Sequence, residues 1–450
     1  MAPPQAALTQ PNDVRTYPSP WVAWTGVAIL FLVYASSFVD RQISSLLVGP
    51  IRADLAISDT GFSLLHGFAF SLFYVVLGAP IGKLVDRVDR RHVLCVGIAT
   101  WSVFTCLCGR ANSFAALFIA RIGVGVGEAT VAPATYSLLA DYFPPERRGL
   151  PMGVFGAGVY VGIGAALIIG GALVQALVVM GPISMPLIGS VAPWQLAFLI
   201  AGAPGIPLCL FVLFICEPRR PSRASTAIAQ AAPKGILMAH WRANGVAIFG
   251  HHGATACLAM ALYAELAWAP EYFKRTHGLA TGQSSMTIGL LVLLFGTAGV
   301  LAGGLVSDRL LARGIISARL IVLASAAFCA MPFTGLFAFT QSPMLAFTGF
   351  GGSIFCLAML TICGPTGVQE LNPPELRGVG AALFQFIVTL VGLGVGPTLV
   401  AVVSDGLSSN GTHLNLALGL TVPAMCFAAG VIALVVRTAY AAAAKRVAKA

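Results

Sequence analysis

Apolar runs of 18 or more residues, separated by short polar turns, recur along the whole 450-residue chain. Each is long enough to cross a bilayer core of about 30 Å as a helix. Twelve such runs are read, at 21–48, 60–81, 92–110, 113–142, 149–178, 194–216, 244–268, 283–305, 316–338, 343–368, 378–403 and 413–437. The short alternating segments of a transmembrane barrel do not occur. The pattern predicts an all-α polytopic membrane protein with twelve transmembrane helices.

The polar turns repeat. GKLVDRVDRR at 82–91 returns as GLVSDRLLAR at 304–313, and PPERRG at 144–149 returns as PPELRG at 373–378. The offsets are 222 (308 − 86) and 229 (373 − 144), close to half the chain length. A duplicated unit of six helices follows, giving 6+6 pseudo-symmetry with a site expected between the halves. The expected bundles are 21–216 and 244–437. A Pro-, Ser- and Arg-rich linker, 217–243, joins them. Residues 1–20, with five prolines and no apolar core, read as a disordered tail, and 438–450 as a second tail.

Composition agrees with the pattern. Hydrophobic residues make up 58% and charged residues 9%, against about a quarter charged in soluble domains. Of the 26 Lys and Arg, twenty fall at the termini, the central loop and the even-numbered turns, while Arg52, Arg110, Lys274 and Arg275 fall on the other side. The positive-inside rule then expects both termini and the linker in the cytoplasm of an inner (plasma) membrane protein. The net charge of +10 is a topology signal and calls for no nucleic acid. All ten cysteines lie in apolar runs, so no disulfide framework, metal or cofactor is expected. A nucleophile–base pair or HExxH set at usable spacing is missing, which argues against an enzyme. RIGVGVGE at 121–128 lacks the preceding strand and the lysine of a nucleotide loop.

Four ionisable residues sit where hydrocarbon should be: Asp40, Arg41, Arg121 and Glu128. Each costs about 2.5–3.5 kcal/mol at mid-span, so partners or a wet cavity are required. At about 1.5 Å per residue, Asp40 and Arg121 both lie roughly 12 Å below the outer end of their helices. They are expected to pair, with Glu128 about 10 Å deeper and on nearly the same face of span 4. A pin that only fixes packing would leave one acid and one base over. The functional reading uses all four, the acids to carry protons and the arginines to hold an anion. His66 is level with Asp40 and is a candidate for the cavity wall. Glu265 and Glu271 are expected in solvent at the outer end of span 7, and of the neighbours His251 and His252 at most one can line a path.

The repeated turn resembles the signature turn of the major facilitator superfamily, which lies between spans 2 and 3 and again between spans 8 and 9. The resemblance implies a cytoplasmic latch of Gly82, Asp86, Arg87, Arg90, Arg91, Asp141, Asp308 and Arg309. In it Asp86 holds the start of span 11 near Gly378, and Arg90 pairs with Asp141. Ala312 stands where Arg90 stands in the first copy, so the second latch is expected to be weaker. SFVDRQ in span 1, RIGVGVGEATVAPATYSLLADYFPPERRG in span 4 and LAWAPEYF in span 7 are similar to the Spinster-type branch. That branch implies a monomeric secondary transporter working by alternating access, coupled to protons through Asp40 and Glu128. A lysolipid-like or other amphipathic anion would be held by Arg41, Arg121 and His66, amid membrane lipids. Span 4 also resembles transporters of small organic anions such as sugar acids. A multidrug/proton antiporter and a membrane receptor or sensor are the remaining alternatives.

Overall fold

The computed structural model describes residues 17–85, 87–144, 147–185, 189–218, 234–408 and 412–449. Twelve helical spans among them are long and apolar enough to cross a membrane. Spans 1–6 are Pro20–Leu46, Asp59–Gly78, Arg90–Cys108, Phe114–Tyr142, Gly149–Met180 and Pro193–Leu213. Spans 7–12 are Gly235–His277, Thr281–Ala312, Ala318–Phe339, Pro343–Leu371, Pro374–Leu407 and Leu414–Val435. Lipid offers no hydrogen-bond partner to a peptide group, so each span must close its own backbone bonds as a helix. The spans form two six-helix bundles. The face that carries the first helix start and the C-terminal end is here the terminal face; the opposite one is the far face.

At the far face the bundles are stitched together. Asp59, at the start of span 2, is fully buried. It accepts two bonds from Arg275 of span 7, at 2.8 and 2.9 Å, and pairs with Arg52 at 3.0 Å. Ser404 of span 11 donates to it at 3.2 Å. Asp405 in turn accepts the backbone N–H groups of Asp59 and Thr60, at 3.2 and 2.8 Å, and so caps span 2 from the opposite bundle. Deeper in, Ser63 donates to the Pro397 carbonyl at 3.1 Å, and Gln42 donates to that of Leu266 at 2.8 Å. Span 2 widens into a π-helical turn at Leu64–Phe68 and span 11 does so at Val388–Val395. The two turns meet: a Cβ on Gly67 would overlap the carbonyl oxygen of Leu393. Only glycine permits that approach.

Four elements depart from the sequence expectation. The helix of span 2 runs on to Val85, so Gly82 lies within it and does not form the turn. Span 7 belongs to a helix that begins at Lys234, inside the stretch read as linker. Residues Arg437–Lys449, read as a tail, form a helix whose Tyr440 is fully buried and donates to Glu370 at 2.6 Å. Between spans 5 and 6, Ile183–Met185 pairs antiparallel with Gly189–Val191, a hairpin that the apolar pattern did not suggest. Asp86 lies outside the described residues.

Candidate functional site

Asp40 and Arg41 are neighbours on span 1, so their side chains leave the helix about 100° apart. This separates their fates. Arg41 reaches span 4 and pairs with Glu128 at 2.5 Å. Its guanidinium lies over Phe38 and Phe70, 4.4 Å from each ring centroid, and 5.6 Å from that of Tyr74. Tyr34 stacks on Phe155 of span 5 at 4.2 Å and meets Phe38 edge-on. A charged pair is thus set in an aromatic wall drawn from spans 1, 2 and 5, with stacking and cation–π attraction holding the arginine.

Asp40 does not pair with Arg121, contrary to the expectation from depth alone. It is buried within the N-terminal bundle, and its Oδ1 has no partner. Arg121 turns away as well. Its Nε and Nη2 donate to the carbonyls of Leu65 and His66, at 3.4 and 3.3 Å, where the π turn of span 2 opens the backbone. Equal depth brought the two residues level, but the helix faces point them apart. His66 is buried, with Nδ1 2.7 Å from Ser44 Oγ. It borders a void of about 10 Å³ together with Ser44, Leu117 and Arg121, room for one water at most.

Glu265 is fully buried, not solvated at a helix end. The helix extends to His277, twelve residues beyond it (277 − 265), which places the carboxyl roughly 18 Å inside. Ser353 and Thr334 donate to its Oε1 at 2.7 and 3.0 Å. Glu271, six residues from the helix end (277 − 271), is also buried and accepts from Arg275 at 2.7 Å. His251 and His252 are both buried, their Nδ1 atoms 3.3 Å apart.

On the terminal face each half carries a corresponding arginine–carboxylate cluster. Arg90 is buried and donates to Asp141, Glu217 and Ser137, at 2.5, 2.8 and 2.9 Å. In the second half Arg319 donates to Asp308 at 2.8 Å, to Glu370 at 3.1 Å and to Ser307. Arg319 lies 229 residues after Arg90, as Glu370 does after Asp141 (319 − 90 and 370 − 141). The partner of the second latch is therefore Arg319, and Ala312 is no loss. The turn between spans 8 and 9 is seven residues longer than its counterpart (229 − 222), which hid the correspondence. Arg87 and Arg309 are exposed. Asp89 caps span 3 and binds Arg91, whose hydrogen bond holds its carboxyl down at about 2. Arg90→Ala and Arg319→Ala are expected to destabilise the protein to a similar degree, about 1–3 kcal/mol each. Thermal unfolding in detergent checks this, and a loss at Arg90 alone would contradict the symmetry.

The chain as a whole matches a known family. The Major Facilitator Superfamily profile covers residues 30–397. The chain belongs to that superfamily. It is a membrane transporter and not an enzyme. Among solved structures, a bacterial homologue of the human lysosomal transporter Spinster superimposes with a TM-score of 0.75 at 24% identity, covering 96% of this chain and 98% of that one. An MFS-type efflux pump of Mycolicibacterium smegmatis is 28% identical, with 94% of each chain covered. A probable L-galactonate transporter of Escherichia coli is 28% identical over 74% of this chain and 72% of its own length. Protein spinster homolog 1 of Xenopus laevis is 25% identical over 84% of this chain and 72% of its own.

Proposed function

We propose that this transporter binds an amphipathic organic anion and a proton together, by an exchange of partners at Arg41. The observation that carries this is the Arg41–Glu128 pair, buried against Phe38, Phe70 and Tyr74. An anion that enters the cavity competes with Glu128 for the guanidinium. Once displaced, Glu128 is a carboxylate in dry surroundings without a cation, and it takes up a proton rather than remain charged. The aromatic wall favours a substrate with an apolar body, as the resemblance to the Spinster-type branch suggests.

The Lys/Arg asymmetry supports both termini in the cytoplasm of the plasma membrane. The stitched far face, where Asp59 holds Arg275, is then the outer one. A second reading, a small sugar acid as substrate, is favoured by the relatives named as transporters of L-galactonate and hexuronate. Proteoliposomes decide between them. With a pH gradient imposed, lysophosphatidate is expected to move and galactonate to be carried poorly. Gradient-driven transport of galactonate alone would assign the chain to the second class. Transport of lysophosphatidate that ignores the gradient would remove the proton.

A further inference from the structure

We propose that the groove between the turn of spans 8 and 9 and the helix Arg437–Lys449 binds an anionic phospholipid of the adjoining leaflet. The groove has a volume of about 430 Å³. One wall is apolar, made of Ile315, Ile316 and Ile321; the other carries Arg437 and Lys445, with Ala441 between them. These three helix positions are spaced i, i+4 and i+8, so they form one stripe with cations about 12 Å apart. Ala441 is small enough to leave the space between the cations open. Neither Arg437 nor Lys445 has a carboxylate partner among the described residues, and both are exposed. Arg319, close by in sequence to the isoleucines, is occupied by Asp308 and Glu370.

The helix is held in place from its other side. Tyr440 and Ala443 are fully buried, and the Tyr440 hydroxyl donates to Glu370. The groove is therefore fixed and does not depend on a ligand to assemble it. It lies at the ends of spans 9 and 12, Ala318 and Val435, which is the level of the headgroups. Two unpaired cations beside three isoleucines suit a phosphate joined to glycerol and the first methylenes of acyl chains. A free phosphate would use the cations and leave the isoleucines idle. Each juxtamembrane cation contributes a severalfold preference for anionic lipid. The groove lies apart from the Arg41–Glu128 pair, and its helix touches the Arg319 cluster through Tyr440 and Glu370.

Native mass spectrometry of the full chain in detergent tests the proposal. It would be titrated with dioleoylphosphatidylglycerol, with dioleoylphosphatidylcholine and with inorganic phosphate. Phosphatidylglycerol is expected to saturate a site with a preference of about tenfold or more over phosphatidylcholine. The pair of changes Arg437→Gln and Lys445→Gln should abolish the preference. Ala441→Trp, which fills the groove and keeps both charges, should abolish it too. Equal retention of the two lipids, or a preference that survives both variants, would overturn the proposal. So would saturation of the same site by inorganic phosphate. All three side chains lie on the outer side of the helix, and an unchanged thermal midpoint without lipid verifies that each variant is folded.

Discussion

Glu128→Gln is expected to bind the anionic substrate more tightly and to take up no proton as it does so. In the native site the anion must first displace the carboxylate that holds Arg41 at 2.5 Å. Glutamine keeps the shape and removes the competitor, so affinity should rise by about tenfold, the equivalent of roughly 1.4 kcal/mol. Binding by the native protein should draw about one proton from a weakly buffered solution, and binding by the variant should draw none. The same change removes one partner of a buried ion pair, which costs about 3–5 kcal/mol when the other is left charged. The variant should therefore be less stable when empty and regain stability with substrate. Accumulation driven by a pH gradient should disappear while exchange at equal pH persists. Proton uptake by Glu128→Gln equal to that of the native protein would show that another carboxyl carries the proton. A loss of anion affinity would place the substrate away from Arg41.

Asp59→Asn should release the far face. Asp59 is fully buried and takes both Arg275 and Arg52, so the change leaves two arginines short of their shared partner. Breaking such a pair from one side costs about 3 kcal/mol or more, a shift of roughly a hundredfold in the balance between closed and open states. Arg275→Ala should act in the same direction, because it leaves Asp59 with Arg52 alone. Spin labels at Ala53→Cys and Leu407→Cys, both exposed at this face, report the separation of the bundles. They require a background without the ten native cysteines, none of which is in a disulfide among the described residues. Longer distances in Asp59→Asn are the expected result. An unchanged distribution in a folded variant would mean that these ion pairs do not hold the face shut.

The twelve spans, the duplication and the four charges in the membrane were legible because each is a one-dimensional signal. Hydropathy needs only a window of residues, and the repeat needs only an offset. What was not legible depends on the direction of side chains around an axis. Depth placed Asp40 level with Arg121, yet the faces of spans 1 and 4 gave Glu128 to Arg41 instead. The backbone carbonyls that satisfy Arg121 come from a π turn, for which no residue pattern was available. The far-face network joins Asp59, Arg275 and Asp405, which are hundreds of residues apart in the chain. One hint was present: Arg52 and Arg275 are two of only four cations assigned to that side. Glu265 was misplaced because span 7 was drawn nine residues too short at its far end (277 − 268). Arg319 was missed because the longer turn shifted the register between the two latches.

The meeting of Gly67 with the Leu393 carbonyl has a mechanical consequence. Both helices are widened there, so the point of contact is backbone against backbone, with no side chain to be sheared as the halves roll. Such a contact brings two helix backbones together with no Cβ between them. A single methyl group added at Gly67 would lie between the two chains like a wedge under a door, and would prop spans 2 and 11 apart.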